Sequence, residues 1–189
     1  MSGAPLSVKD ALDEFVDHYT KSAEWLHTDH DPEWASACEI GAPYRSEGGE
    51  ERIRWQPTLR DHADDFRGLE AALETPIHPD VQAYFGRYWA ASMAAAAPDG
   101  PVSLIFLWNE DDIARLTENL IGHALAQRRA RAPFSIFFAT TTESSDYFLA
   151  VRNDTGEVQL ELPGRKAVRT VAPNLATFLE ELSPAPPPV

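Results

Sequence analysis

Apolar positions return every three or four residues at Val8, Leu12, Phe15, Val16, Tyr19 and Ala23, opposite a polar face of Lys9, Asp13, Asp17 and Glu24. This spacing predicts an amphipathic helix over 8–25, opened by Ser7 with Asp10 in a capping-box-like arrangement. Residues 27–51 mix His, Asp, Pro, Gly and Ser without a period and read as a long loop. Arg52 to Gln56 reads as a short strand closed by Pro57, and Phe66 to Leu73 as a helical turn or two. Pro79 is placed to start a further helix through Tyr84, Phe85 and Tyr88, while 90–97 fits helix and strand alike. The run Val102 to Trp108 is short and β-rich enough for a buried strand. Asn109 then caps the clearest helix, about 110–129, with Ile113, Leu116, Leu120, Ala124 and Leu125 inward and Arg128 and Arg129 at its negative end. Phe134 to Ala139 and Tyr147 to Val151 predict strands, and the turn Asn153 to Gly156 returns the chain through Val158 to Leu162 as a hairpin. Asn174 caps a closing helix holding Leu175, Phe178, Leu179 and Leu182, and 184–189 reads as an extended Pro-rich tail. Strands and helices without regular alternation predict an α+β fold: one domain over 1–183 with a mixed sheet and flanking helices.

Composition narrows the function. A chain of 189 residues, 43% hydrophobic, suits one core. With no apolar run near 18 residues and no basic-then-apolar start, the expectation is a protein that stays in the cytosol. The single cysteine, Cys38, reads as a small buried side chain. Net charge is −14, which repels phosphate and argues against nucleic-acid binding. The charge is also lopsided: residues 1–80 carry 7 Lys/Arg against 18 Asp/Glu (−11), and 81–189 carry 9 against 12 (−3). The partner this predicts is basic.

Candidate chemistry is sparse. His27-Thr28-Asp29-His30-Asp31 gathers two imidazoles and two carboxylates that could in principle hold zinc or nickel. Neither an HExxH helix nor a second ligand cluster follows, so the segment reads as a solvated acidic loop, and no metal or cofactor is expected. The His78 ring of Ile-His-Pro is expected to pack against or cap its turn. Asp111 and Asp112 suit the first turn of a helix, and Glu118 is expected to pair with Arg115 or face outward. No GxSxG elbow or nucleotide-binding glycine motif occurs.

Longer strings carry a family resemblance. Trp55-Gln56-Pro57, Trp108-Asn109-Glu110-Asp111-Asp112 and Glu118-Asn119-Leu120-Ile121-Gly122-His123 resemble the Syd family in order and spacing. So do Pro133 to Thr140, Asn153 to Val158, and Asn174-Leu175-Ala176 with Phe178-Leu179. The resemblance implies a non-enzymatic protein, peripheral on the cytoplasmic face of the inner membrane, that binds cytoplasmic loops of SecY and monitors translocase assembly. It also implies a concave acidic surface and a fold similar to the SUKH superfamily, whose immunity proteins supply the alternative reading: neutralisation of a basic toxin.

Elementary electrostatics agrees. Cytoplasmic loops of membrane proteins are rich in Lys and Arg, whereas the lipid beside them is anionic and repels this chain. The chain also has no basic amphipathic helix for lipid insertion. Asp61, Asp64, Asp65, Glu70, Glu74, Asp111, Asp112 and Glu118 are the expected docking acids, with Trp34, Tyr44 or Trp55 as apolar anchors. Reversing Glu70 and Glu118 to Lys is expected to weaken binding without unfolding the domain.

Overall fold

A computed structural model describes residues 6–60, 66–142 and 145–186. Its centre is a seven-stranded sheet formed from the chain's second half. The strands are β6 (Met93–Ala97), β7 (Gly100–Leu104), β8 (Ser135–Thr140), β9 (Phe148–Arg152), β10 (Val158–Glu161), β11 (Arg169–Ala172) and β12 (Ser183–Pro184). Their order is β11-β10-β9-β8-β7-β6-β12, and every pairing is antiparallel. The α+β expectation therefore holds with an antiparallel sheet in place of a mixed one. Among the described residues, the isolated bridge recorded between Trp89 and Leu107 is the parallel contact.

Neighbouring side chains on β8 point to opposite faces. Phe137 meets His123 of α4 (Glu110–Ala130) edge to face at 5.6 Å, whereas Phe138 meets Phe178 of α5 (Leu175–Glu180) at 5.6 Å. Helices therefore cover both faces, which is why β8 and β9 read as nearly unbroken apolar runs. Tyr84, on α3 (Pro79–Phe85), joins the α5 side by an edge contact to Phe138, and its hydroxyl donates to the Ile105 carbonyl.

The caps written in the sequence are present. Ser7 Oγ accepts from Asp10 N and opens α1 (Val8–Lys21), which packs its apolar stripe on α5 and α3. The helix stops four residues before the expected Trp25, because the Ser22 hydroxyl and amide both turn back to the Tyr19 carbonyl. On α4, Asn109 accepts from Asp112 N, and Leu116, Leu120 and Ala124 are buried. Leu125 is not inward as expected but 45% exposed, and its place is taken by Gln127, whose amide satisfies Ser135 N and Ser135 Oγ.

The stretch 27–51 is a correction. Residues 30–38 and 46–50 are loop as expected, but the rest builds most of a second, three-stranded sheet of order β1-β3-β2, with β1 (Leu26–Asp29), β2 (Glu39–Arg45) and β3 (Glu51–Trp55). Almost all of β2 is exposed, so no apolar alternation announces it. A ribbon of β4 (Thr58–Leu59) and β5 (Tyr88–Trp89) ties this sheet to the rest, and α3 stops at Phe85, so the helix does not reach the expected Tyr88. Two bonds from Arg87 to the Asp13 carboxylate hold α1 against the start of β5. The remaining helix, α2 (Arg67–Leu73), packs on α4. The segment 90–97 resolves to β6, and β11 was not anticipated. Pro184, expected in the extended tail, pairs with Ala95. No helix among the described residues is long and apolar enough to cross a membrane.

Candidate functional site

Trp108 to Asp112 form a clamp between the two sheets. The Trp108 indole donates to the Trp34 carbonyl at 2.9 Å, Asn109 Nδ2 donates to the Ala35 carbonyl at 3.1 Å, and Ser36 Oγ donates to the Trp108 carbonyl. Asp112 Oδ2 accepts from the Trp108 amide at 2.8 Å. One short string therefore starts α4 and also fixes the chain segment 34–36 against it.

The clamp leaves a depression of about 430 Å3. Asp29, Asp31 and Asp112 bring three carboxylates to it, Trp34 and Trp108 supply apolar wall, and Arg115 is its one lining cation. Arg115 lies 4.9 Å from the Trp34 ring centroid and 3.4 Å from Asp112 Oδ1, so of the two expectations for Glu118 it is the outward-facing one that the structure shows. Asp29 has most of its side chain in solvent and sits 3.5 Å from Arg52 Nε. A concave surface with three carboxylates, one guanidinium and two indoles suits an ammonium or guanidinium with an aliphatic stem.

The expected acids are placed unequally. Asp112 lines the depression, while Asp111 and Glu118 are exposed elsewhere on α4. Glu74 is exposed at the left-handed end of α2 (φ 51°). Glu70 is half-buried and accepts from Ile77 N at 2.8 Å and from Gln82 Nε2, which holds the Pro76–Pro79 turn against α2. Asp61, Asp64 and Asp65 lie outside the described residues. Of the expected anchors, Trp34 borders the acids, whereas Trp55 is 3% exposed and packs edge-on against Trp108 at 6.0 Å as the floor between the sheets. Sequence reasoning passed over Asp29 and Asp31 as docking acids because it weighed them as metal ligands. Their signal was the acid excess of the first 80 residues.

The histidines have other work. His27 Nδ1 bonds the Tyr44 hydroxyl, and burial followed by the Arg52 and Arg54 charges lowers its pKa. His78 caps α3 by accepting from Asp80 N. Among the described residues no three His, Cys, Asp or Glu side chains are grouped to hold a metal ion. His123, Ser135 and Glu161 are residue types that hydrolases combine, but here they form a buried cluster with Gln127: Ser135 is 1% exposed and already bonded to Gln127 at 2.6 Å. Burial pushes the His123 imidazole down to about 4 and raises the Glu161 carboxyl.

Comparison with known proteins matches this sequence to a family. The family described as Syd protein (SUKH-2) matches residues 8–184. The chain is 38% identical over 182 residues to Protein Syd of Pseudoalteromonas atlantica, an alignment covering 94% of this chain and 96% of that one. It is 36% identical over 182 residues to Protein Syd of Alteromonas mediterranea, covering 95% and 97%. It is 43% identical over 132 residues to Protein Syd of Hahella chejuensis, covering 69% and 67%. The strings that clamp the depression lie within the matched span, and the chain belongs to the Syd family.

Proposed function

We propose that this protein is a non-enzymatic binding protein that docks on basic cytoplasmic loops of SecY at the cytoplasmic face of the inner membrane and monitors translocase assembly. The observation that carries the reading is the convergence of Asp29, Asp31 and Asp112 with Trp34 and Trp108 in one depression. Asp111, Glu118 and Glu74, with the acids at 61, 64 and 65 of the sequence, add to the net negative charge that attracts a basic loop. Glu70, whose carboxylate is taken up by Ile77 N and Gln82 Nε2, has a structural role in this reading and is not a docking acid.

Magnitudes assign the roles. An exposed ion pair contributes about 0.2–1 kcal/mol, while micromolar affinity needs about 8 kcal/mol. The indole walls must therefore supply much of the binding by covering the stems of Lys or Arg, with the carboxylates setting specificity and encounter rate. Anionic headgroups would be repelled by a chain of charge −14, so membrane association depends on a protein partner.

Co-sedimentation with SecY-containing and SecY-free membrane vesicles at low and high salt tests the reading. SecY-dependent retention that weakens with salt is the expected result. Equal or absent retention on both vesicles overturns it and turns attention to a different basic partner, such as a toxin.

A further inference from the structure

The concave surface continues past the acidic depression. Thr28, Ala91 and Ser92 line both that depression and a larger hollow of about 680 Å3, walled by Trp25, Tyr44 and Trp55 and by the charged side chains Arg45, Arg52 and Glu47. Trp25 is 42% and Tyr44 37% exposed, a large aromatic area to leave in water. The Arg54 guanidinium sits 4.7 Å from the Trp25 ring centroid, so three arginines gather at this end of a strongly acidic chain. Arg52 Nε is buried without a hydrogen-bond partner, with Asp29 Oδ1 3.5 Å away. Burial first, and then the Arg52 and Arg54 charges, lower the pKa of His27 beside them. Glu47 offsets only part of it. The two hollows are thus neighbours of opposite electrostatic character, joined along β1.

We propose that the larger hollow is a second subsite of one groove, and that it takes an aromatic side chain flanked by a carboxylate. Resting on the docking reading above, this means that one extended partner segment places Lys or Arg in the acidic depression and its aromatic-acidic pair between Trp25, Tyr44 and Arg45. His27 borders the larger hollow and Asp29 the depression, two residues or about 7 Å apart along a strand. The basic residue and the anchor of the bound segment are therefore separated by about two to four extended residues. A segment basic at both ends would set like charge against Arg45 and Arg52 and is rejected, so the groove selects among basic loops as well as attracting them.

Fluorescence anisotropy with the full chain and three labelled peptides tests this: Lys-Arg-Gly-Ser-Trp-Glu, the same peptide with Trp→Gly, and the same peptide with Glu→Lys. The first is expected to bind at least tenfold more tightly than either of the others. Tyr44→Ala should erase the Trp dependence, and Arg45→Glu should invert the Glu/Lys preference, both with unchanged circular dichroism. Equal affinity for all three peptides, no binding of any, or an unchanged ranking in the folded variants overturns the subsite. The vesicle assay separates this from the parent reading. A flat ranking with SecY-dependent retention still weakened at low salt by Asp31→Lys removes the second subsite alone. The expected ranking with no SecY-dependent retention keeps the subsite and removes SecY as the partner.

Discussion

Gly156 shows how one atom can decide a local structure. It has φ +79° in the hairpin turn, and a Cβ there would lie 2.7 Å from His78 Nε2, on the ring that caps α3. Asn153 completes the junction by accepting from His78 N and donating to the Pro76 carbonyl. Gly156→Ala should therefore cost more than the roughly 1 kcal/mol of an ordinary left-handed glycine, read as a lower urea midpoint at unchanged slope. His123 makes a second test at this scale. Its folded-state pKa, about 4, lies below the ordinary 6.5, so the neutral ring's contribution is complete above pH 6.5 and is lost as pH falls towards 4. Glu161 has the opposite sign, since its raised pKa favours folding at lower pH, so a variant is needed to isolate the ring. The stability difference between the natural chain and His123→Gln should drift by on the order of 3 kcal/mol from pH 7 to pH 4, and a difference that stays level would exclude the ring as the source. Sequence reading expected His78 to cap or pack, because Ile-His-Pro permits little else. It gave no sign of the bond between Asn153 and His78, which joins residues 75 apart.

Helices were legible because their ends are written locally. Ser7, Asn109 and Asn174 each accept a backbone amide at an N-terminus. Asn109 also reaches Ala35, so Asn109→Ala should lower stability by about 1–2 kcal/mol and loosen the segment 34–36, measurable as faster amide exchange at Trp34 to Ser36. Strands exposed along much of their length were not legible. The strand β2 turns five of its seven side chains to water, and β11 is four residues long with Arg169 and Thr170 exposed and Val171 and Ala172 turned in, so neither carries the alternation by which a half-buried strand is recognised. Strands buried on both faces, β8 and β9, were read correctly from apolar content alone. The acidic depression escaped because it joins residues near 30 to residues near 110, and no local period encodes that meeting. The charge reversal first conceived as a pair now divides. Glu118→Lys should leave stability unchanged, whereas Glu70→Lys should cost about 1–3 kcal/mol by orphaning the amide of buried Ile77, and two thermal melts distinguish them.

Over the whole molecule, the lopsided acidity of the sequence becomes a directional field, and its rank against packing is set by salt. Asp29→Lys combined with Asp31→Lys should weaken retention on SecY-containing vesicles about tenfold or more at low salt, with little loss of stability because both side chains stand largely in solvent. At high salt the two proteins should converge, since screening removes the steering and leaves the indole contacts. The last strand of the large sheet carries a different consequence. Ser183 and Pro184 lie along the alanine-rich edge of β6, and the Ala185 amide donates to the Ala94 carbonyl at 3.0 Å. Without them, a strand of small side chains would present free amides and carbonyls with little bulk to deter a neighbour, the kind of template on which chains recruit one another. Proline is a fitting end to such a row because it offers no further donor. Pro184 and Ala185, expected in an extended tail, thus join Ser183 in covering that edge, and the role this predicts for them is to guard it against self-association. A chain shortened to Leu182 should show concentration-dependent oligomers in light scattering where the full chain shows none.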